Sequence, residues 1–308
     1  MPPWAIGLCV LGGLAVLYLI FCLVIALLLA KLIYSPPRSL GGSYEKIRSA
    51  TKAICDVDYD DFDGWEREYF TVKNGEYEIP CEYHPLPNAK GIAVVVHGFG
   101  QNRCMVVPHA KILRDLGYST IMFDQRAFGV SQARHGGFGY LERQDTAKVV
   151  DYVRSRFGKE IPLVLLGCSM GAISVLSCSR YTNAKIDAII ADSSPDRAVN
   201  VLKPFAKVLI PLPNPFLAPV VKAASKRAGC DITDNNPIEV AKTLTCPVLI
   251  LHGEKDRTVP VECAYNIKSV LKNPLSGMVV FPGYDHCLQI GDKERYTQAV
   301  KQFLEASL

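Results

Sequence analysis

Residues 162–171 read Pro-Leu-Val-Leu-Leu-Gly-Cys-Ser-Met-Gly, and this stretch is the strongest indication of the fold. Its first five residues are apolar throughout, which is typical of a parallel strand that is covered on both faces. They lead into Gly167-Cys168-Ser169-Met170-Gly171, and a helical pattern rich in small side chains follows. A G-x-S-x-G pentapeptide between a strand and a helix holds its serine on a sharp turn, with the hydroxyl clear of the sheet. We therefore expect Ser169 to be a catalytic nucleophile.

Strand and helix patterns alternate on both sides of this turn. We expect strands at 65–72, 77–83, 91–97, 118–124, 161–168, 186–192, 246–252 and 277–282. From residue 91 onward, helical patterns follow most of them, at 102–116, 141–157, 170–181, 260–272 and 292–306. Such alternation predicts an α/β fold with a mostly parallel, doubly wound sheet.

A serine nucleophile needs a base, and candidates come from the histidines that follow it in the chain. His252 is the last residue of a predicted strand. His286 follows the last predicted strand, in Pro282-Gly-Tyr-Asp-His286. Because a loop over the carboxyl edge of the sheet can reach Ser169, we expect His286 to be the base.

The base needs a carboxylate to orient it, and three aspartates compete for this role. Asp256 ends the strand and turn 246–256, Asp192 ends the strand after the serine turn, and Asp285 precedes the base. Acids of this kind come from loops at the carboxyl ends of strands, between serine and histidine in chain order. Asp256 is therefore our expected acid, with Asp192 and Asp285 as alternatives.

Two backbone N–H groups are expected to form an oxyanion hole. One belongs to Met170, which directly follows the nucleophile. The other should come from the glycine-rich loop His97-Gly98-Phe99-Gly100, and we place it at Phe99. His97 precedes the serine and ends a strand, so we expect it to have a structural role.

The chain resembles the alpha/beta-hydrolase superfamily over roughly residues 65–306. The resemblance rests on five motifs: His97–Gly100, Asp124–Ser131, Gly167–Gly171, His252–Asp256 and Gly283–His286. It is nearest to a bacterial membrane-anchored branch that is similar to serine aminopeptidase-like and monoacylglycerol lipase-like hydrolases. The family often has Gly-His where this chain has Ala127 and Phe128, in a loop that we expect to be structural.

This resemblance implies a serine hydrolase that cleaves a carboxylic ester, or a related acyl bond, through an acyl-enzyme. Ser169 argues against the dehalogenases and epoxide hydrolases of this fold, which use aspartate at that position. No cofactor is implied, and the sequence shows no phosphate loop or metal-ligand pattern. An aminopeptidase acting on short peptides remains an alternative, as does a non-catalytic binding protein on the same fold.

The amino-terminal segment differs from the rest of the chain. Residues 1–30 contain no Asp, Glu, Lys, Arg or His, and an apolar stretch runs from Ala5 to Ala30. A bilayer needs about 20 such residues. We therefore expect a transmembrane helix at 4–34, with Trp4 and Tyr34 near the two interfaces. A signal sequence and a buried core helix are the alternatives.

Flanking charge predicts the orientation of this helix. The tail before it has no cation, whereas Lys31, Arg38, Lys46 and Arg48 follow it. The positive-inside rule then places the catalytic domain in the cytoplasm, as a single-pass protein of the cell membrane. The 11 cysteines include no C-x-x-C pair, which favours reduced thiols over a disulfide framework.

Three regions follow from these patterns: the helix at 4–34, a linker with a short helix at 35–64, and a hydrolase domain at 65–308. The first thirty residues are expected to lie outside the catalytic fold. A proline-rich stretch at about 195–240 interrupts the strand–helix alternation and predicts a cap insertion. The cap carries large apolar groups beside cations, so it could admit a lipid-like acyl chain, or those groups could simply pack on the sheet. The cations are Lys203, Lys207, Lys222, Lys226 and Arg227.

Net charge limits the partners that we expect. The formal charge is +4, and the sequence has no basic run or base-stacking motif, which disfavours a nucleic-acid binder. The expected partners are a small-molecule or lipid-like acyl substrate and, through the first helix, a membrane.

Overall fold

A single eight-stranded sheet forms the centre of the molecule. The computed structural model describes residues 2–36, 42–201, 222, 225–227 and 229–308. The strands are β1 (Glu68–Asn74), β2 (Tyr77–His84), β3 (Gly91–Val96), β4 (Tyr118–Phe123), β5 (Leu163–Cys168), β6 (Ala188–Asp192), β7 (Val248–Gly253) and β8 (Gly277–Phe281). Their order in the sheet is β1-β2-β4-β3-β5-β6-β7-β8. The strands from β3 to β8 pair in parallel, and β2 pairs antiparallel with both β1 and β4.

The helices connect and cover these strands. In the described residues they are α1 (Pro3–Tyr34), α2 (Tyr44–Cys55), α3 (Tyr59–Asp63), α4 (Val107–Asp115), α5 (Glu142–Phe157), α6 (Met170–Ser177), α7 (Pro237–Ala241), α8 (Glu262–Val270) and α9 (Lys293–Ser307). The mostly parallel, doubly wound sheet is confirmed. The first strand begins at Glu68 rather than at residue 65, because Trp65 is buried in the core just before it.

Apolar side chains cover the sheet on both faces. All residues of β3, β4 and β5 are buried, and alternate residues point into two separate apolar clusters. Val95 and Leu166 belong to one cluster, whereas Val94 and Leu165 belong to the other. Burial on both faces explains why these strands are continuous apolar runs in the sequence.

Helix α1 is the one helix in the described part of the chain that is long and apolar enough to cross a membrane. Its second half packs on the hydrolase domain. Cys22, Ala30 and Ile33 are buried there, and the backbone N–H of Gly136 donates a hydrogen bond to the carbonyl of Tyr34 at 2.7 Å. The expectation that the first thirty residues lie outside the catalytic fold is therefore wrong for the second half of α1. The physical reason is that the domain presents an apolar surface to one side of the helix.

Much of the expected cap at 195–240 lies outside the described residues, together with Lys203 and Lys207. Lys222, Lys226 and Arg227 are described, and all three are exposed.

Candidate active site

Ser169 occupies a strained turn between β5 and α6. Its backbone has φ 54° and ψ −115°, in the left-handed half of conformational space that non-glycine residues rarely adopt. A hydrogen bond to the neighbouring strand β6 holds this turn in place: the N–H of Ser169 donates to the carbonyl of Asp192 at 2.8 Å. The side chain is therefore presented at the carboxyl edge of the sheet.

The two glycines of the pentapeptide are required by close packing. A β-carbon on Gly167 would lie 2.3 Å from the carbonyl oxygen of Gly171, and one on Gly171 would lie 2.2 Å from the carbonyl oxygen of Val96. Both obstacles are backbone atoms, so neither can move aside cheaply. Helix α6 can approach the sheet at this distance only because both side chains are absent.

His286 lies on the loop after β8 and reaches the serine. Its Nε2 is 2.9 Å from Oγ of Ser169, and its Nδ1 is 2.6 Å from Oδ2 of Asp256. A carboxylate only accepts hydrogen bonds, so Nδ1 carries the proton that is donated to Asp256. In the neutral ring, Nε2 is then an acceptor for the Ser169 hydroxyl.

Asp256 is held in place by the turn that follows β7. Its side chain is buried, and its Oδ1 accepts from the N–H groups of Thr258 at 2.9 Å and Val259 at 2.7 Å. Burial alone would raise the pKa of Asp256, but the contacts with His252 and His286 and the Val259 N–H outweigh it. The pKa of this carboxyl is therefore held well below its usual range, and the group is ionised at neutral pH.

The two alternative acids are engaged elsewhere. Asp285 accepts from the N–H and Nε of Arg257, at 2.9 and 2.7 Å, and from the backbone N–H of His286. Asp192 is buried behind the serine turn, where it accepts from Gln289, Ser193 and Tyr296. The contact with the His286 ring belongs to Asp256, as the sequence predicts.

The pKa of His286 reflects opposing influences. Burial lowers it, whereas the neighbouring Cys287 thiol and the Asp256 carboxylate raise it, and the raising influences prevail. The Asp256 carboxylate thus stabilises the imidazolium form of His286. A base that accepts a proton during a reaction requires such stabilisation.

The two residues that are expected to supply the oxyanion donors lie next to Ser169 or on a loop against it. Met170 opens α6, and the first N–H groups of a helix have no carbonyl partner within the helix. The loop with Phe99 lies against the serine, because a β-carbon on Gly98 would be 3.4 Å from Cβ of Ser169. The Phe99 ring is fixed by Phe128 and Phe138, at centroid distances of 5.2 and 5.4 Å. Phe128, which departs from the common family pattern, thus supports this loop.

His97 has the structural role that was expected of it. It is fully buried, with Nε2 accepting from the N–H of Gln125 at 3.0 Å and Nδ1 2.8 Å from the carbonyl of Gly98. The neighbouring Asp124 accepts from Tyr44, Arg103 and the Val130 N–H, and so ties its loop to the sheet.

His252 is a site residue whose contribution the sequence did not reveal. The sequence offers it only as a rival base, yet its Nε2 lies 3.3 Å from Oδ2 of Asp256 and 2.9 Å from the carbonyl of Val259. The spacing of four residues between His252 and Asp256 was the available signal. Its meaning depends on the turn that brings the end of β7 back on itself.

A second unpredicted feature is a buried group of three potential metal ligands behind the serine. Ligand atoms of His109, Cys168 and Asp192 lie within 4.8 Å of one another. The group does not fit a metal ion well. The oxygens of Asp192 already accept hydrogen bonds, and burial raises the pKa of the Cys168 thiol well above its usual value. A neutral thiol is a poor metal ligand.

Comparison with known proteins supports the fold and the family. Residues 87–238 match the family model of the serine aminopeptidase S33 hydrolases. The uncharacterised protein YqkD of Bacillus subtilis is 23% identical over 251 residues, which cover 80% of this chain and 82% of YqkD. The lysophosphatidylserine lipase ABHD12 of Macaca fascicularis is 30% identical over 172 residues, which cover 52% of this chain and 39% of that protein.

Solved structures share the fold. The esterase Pf2001 of Pyrococcus furiosus superposes with a TM-score of 0.66 at 20% identity, covering 82% of this chain and 97% of the esterase. The family match includes the serine turn at 167–171. The chain therefore has the alpha/beta-hydrolase fold, and about half of it matches a family of serine hydrolases.

Proposed function

We propose that this protein is a serine hydrolase that cleaves carboxylic esters through an acyl-enzyme. One observation carries the proposal: Ser169, His286 and Asp256 form a continuous hydrogen-bonded chain at the carboxyl edge of the sheet, with spacings of 2.9 and 2.6 Å. Serine, base and acid with this connectivity are the arrangement that activates a hydroxyl for acyl transfer.

In the first step, Oγ of Ser169 attacks the substrate carbonyl carbon while its proton moves to Nε2 of His286. The carbonyl oxygen becomes an oxyanion, which the N–H groups of Met170 and Phe99 stabilise. His286 then passes the proton to the leaving alcohol oxygen as the carbon–oxygen bond breaks. Asp256 remains ionised and stabilises the imidazolium form.

In the second step, water replaces the alcohol. His286 accepts a proton from the water, which attacks the acyl-enzyme, and the same N–H groups stabilise the second oxyanion. Collapse of this intermediate returns the proton to Oγ and releases the carboxylic acid. The chain's own residues supply every proton transfer in this sequence.

We assign the enzyme to a membrane surface. Helix α1 has the length and hydropathy of a single transmembrane span, and cations follow it. The positive-inside rule favours a cytoplasmic catalytic domain. The resemblance to a lipase, ABHD12, favours a lipid-like acyl ester among the possible substrates.

Labelling with a fluorophosphonate tests the nucleophile. The full chain in detergent should be labelled, and Ser169→Ala should abolish both labelling and hydrolysis of p-nitrophenyl acetate, since the attacking oxygen is removed. Ser177→Ala is the matched control. It lies in the same helix, and its buried hydroxyl has no hydrogen-bond partner in the described part of the structure. Equal labelling of Ser169→Ala and wild type would disprove the assignment, and a wild type that neither labels nor turns over would favour the non-catalytic alternative.

An aminopeptidase activity is the second candidate, because the matching family model is that of the serine aminopeptidases. The same three residues can cleave an amide, provided that the site also binds a free amino group. Parallel assays with leucine p-nitroanilide and with p-nitrophenyl acetate distinguish the two functions. The ester proposal predicts the larger kcat/KM for the ester and negligible cleavage of the anilide.

A further inference from the structure

In its second half only, helix α1 has one buried side and one exposed side. Cys22, Ala30 and Ile33 are no more than 5% exposed, whereas Leu23 and Leu28 are 58% and 57% exposed. The buried residues recur at helical spacing, so they form one stripe that faces the domain. This half of the membrane helix therefore has a defined docking face.

The docking face belongs to a single apolar cluster that adjoins the proposed active site. The cluster also contains Ile173 and Val259, and Phe99 packs against it. Each of these residues is next to a different part of the proposed machinery. Ile173 donates its N–H to the carbonyl of Ser169 at 3.2 Å, and the Val259 N–H donates to Asp256. Phe99 carries a proposed oxyanion donor.

The edge of this cluster is accessible. Ile25 of α1 and Phe99 are half-buried and pack against the cluster from its rim, and Ser169 itself is half-buried. Partly exposed apolar side chains thus lie both beside the serine turn, at Phe99, and on the membrane helix, at Ile25.

The first half of α1 is long enough to cross the hydrocarbon layer of a bilayer. Residues from Pro3 to Phe21 are largely exposed on all sides, and a helix of that length spans about 28 Å, close to the hydrocarbon thickness of a bilayer. The docking face starts at Cys22, so the apolar cluster lies where the helix leaves the hydrocarbon. Lys31, Arg134 and Arg227 are exposed cations toward the carboxyl end of α1, beyond Cys22, and the Arg227 guanidinium lies 5.8 Å from the centre of the Tyr34 ring. Such cations suit a surface of anionic headgroups.

From these contacts we propose that the second half of α1 is a substrate-binding element. It forms one wall of the path by which the acyl chain of a membrane-held ester reaches Ser169 directly from the bilayer. This inference rests on the proposed esterase function and names its substrate class, an ester with a long apolar acyl chain. Such a chain would stay among apolar side chains and lipid and would not have to enter water, which is unfavourable for hydrocarbon.

The test compares two esters with the same leaving group. The full chain is reconstituted in phosphatidylcholine vesicles, and kcat/KM is measured for p-nitrophenyl palmitate, which partitions into the bilayer, and for p-nitrophenyl acetate, which stays in water. Ala30→Trp places a large side chain on the docking face, where there is no space for it. Leu28→Trp places the same side chain on the exposed face of the same helical turn and serves as control.

Ala30→Trp should lower the ratio of palmitate to acetate turnover by about tenfold, and Leu28→Trp should leave both rates unchanged. Ile33→Ala, a milder change on the docking face, should lower the ratio in the same direction. An unchanged ratio in both docking-face variants, or the same change in Leu28→Trp, would overturn the inference. Failure of the esterase proposal has a different signature, because wild-type acetate turnover would then be absent or would survive Ser169→Ala.

Discussion

The ring of His252 lies directly against the carboxylate of Asp256, with Nε2 of the histidine 3.3 Å from Oδ2 of the aspartate. The same nitrogen is 2.9 Å from the carbonyl of Val259. The side chains of His252 and Asp256 are both fully buried. Asp256 therefore has an imidazole on each side: His286 toward the serine and His252 toward the core. This makes His252 a positioning residue for the proposed acid.

Replacing His252 by phenylalanine should lower kcat for p-nitrophenyl acetate by about tenfold, with KM changed by less than about twofold. The ring remains, but the contact that helps to keep Asp256 ionised and oriented is lost. His252→Gln retains an N–H of similar reach and should recover part of the rate. A folded His252→Phe protein with wild-type kcat would contradict the role assigned to this residue.

The pH dependence of kcat/KM should follow the ionisation of His286. The base must be neutral to accept the serine proton, and its pKa is raised well above the usual histidine value. Activity should therefore be low at acidic pH and rise only as the pH passes this raised pKa, on the alkaline side of 6.5.

Asp256→Asn should move that rise to lower pH, because removal of the carboxylate removes a charge that favours the imidazolium form. The plateau rate should fall by about 10⁴-fold, since the amide can select the wrong tautomer of His286. Measurement of complete pH–rate profiles for both proteins separates the two effects. A profile of Asp256→Asn with its midpoint unmoved or shifted to higher pH would contradict the coupling.

Gly171→Ala should destabilise the fold. Its new methyl group would lie 2.2 Å from the Val96 carbonyl oxygen, and relief requires α6 to move away from the sheet. We expect the thermal midpoint of the detergent-solubilised protein to fall by about 10 °C, as for a loss of about 3 kcal/mol. Gly277→Ala is the control, since its β-carbon would lie 3.5 Å from a side-chain atom of Leu249, an ordinary contact. Equal midpoints for Gly171→Ala and wild type would show that the turn does not need this glycine.

Local sequence patterns were sufficient to predict the strands of the sheet and the order of the candidate residues along the chain. Strands such as β3 and β5 are apolar throughout because both of their faces are covered, so they are visible without any tertiary information. Ser169 was predictable because its turn imposes glycine two residues away on either side, and the structure supplies the reason in backbone contacts. The catalytic roles of the three residues remain predictions for the experiments above.

The partners of the acidic side chains were harder to predict. Asp192, Asp256 and Asp285 all follow strands or precede the base, and the sequence favoured Asp256 without excluding the other two. Their roles separate only because strand β6 points Asp192 into the interior, toward Tyr296, and Arg257 engages Asp285. Such long-range pairs have no fixed spacing in the sequence.

Local patterns predicted the strands and helices, their alternation and the apolar first helix, because hydrophobic periodicity and glycine placement act over a few neighbouring positions. Long-range contacts were needed to show that Asp192 and Asp285 are engaged elsewhere, that His252 supports Asp256, and that α1 shares an apolar cluster with Ile173. The face of α1 that contacts the domain has the same apolar character as the face that is exposed, so composition does not distinguish them. Burial in the cluster that contains Ile173 distinguishes them, because packing depends on the shape of a surface assembled from distant parts of the chain.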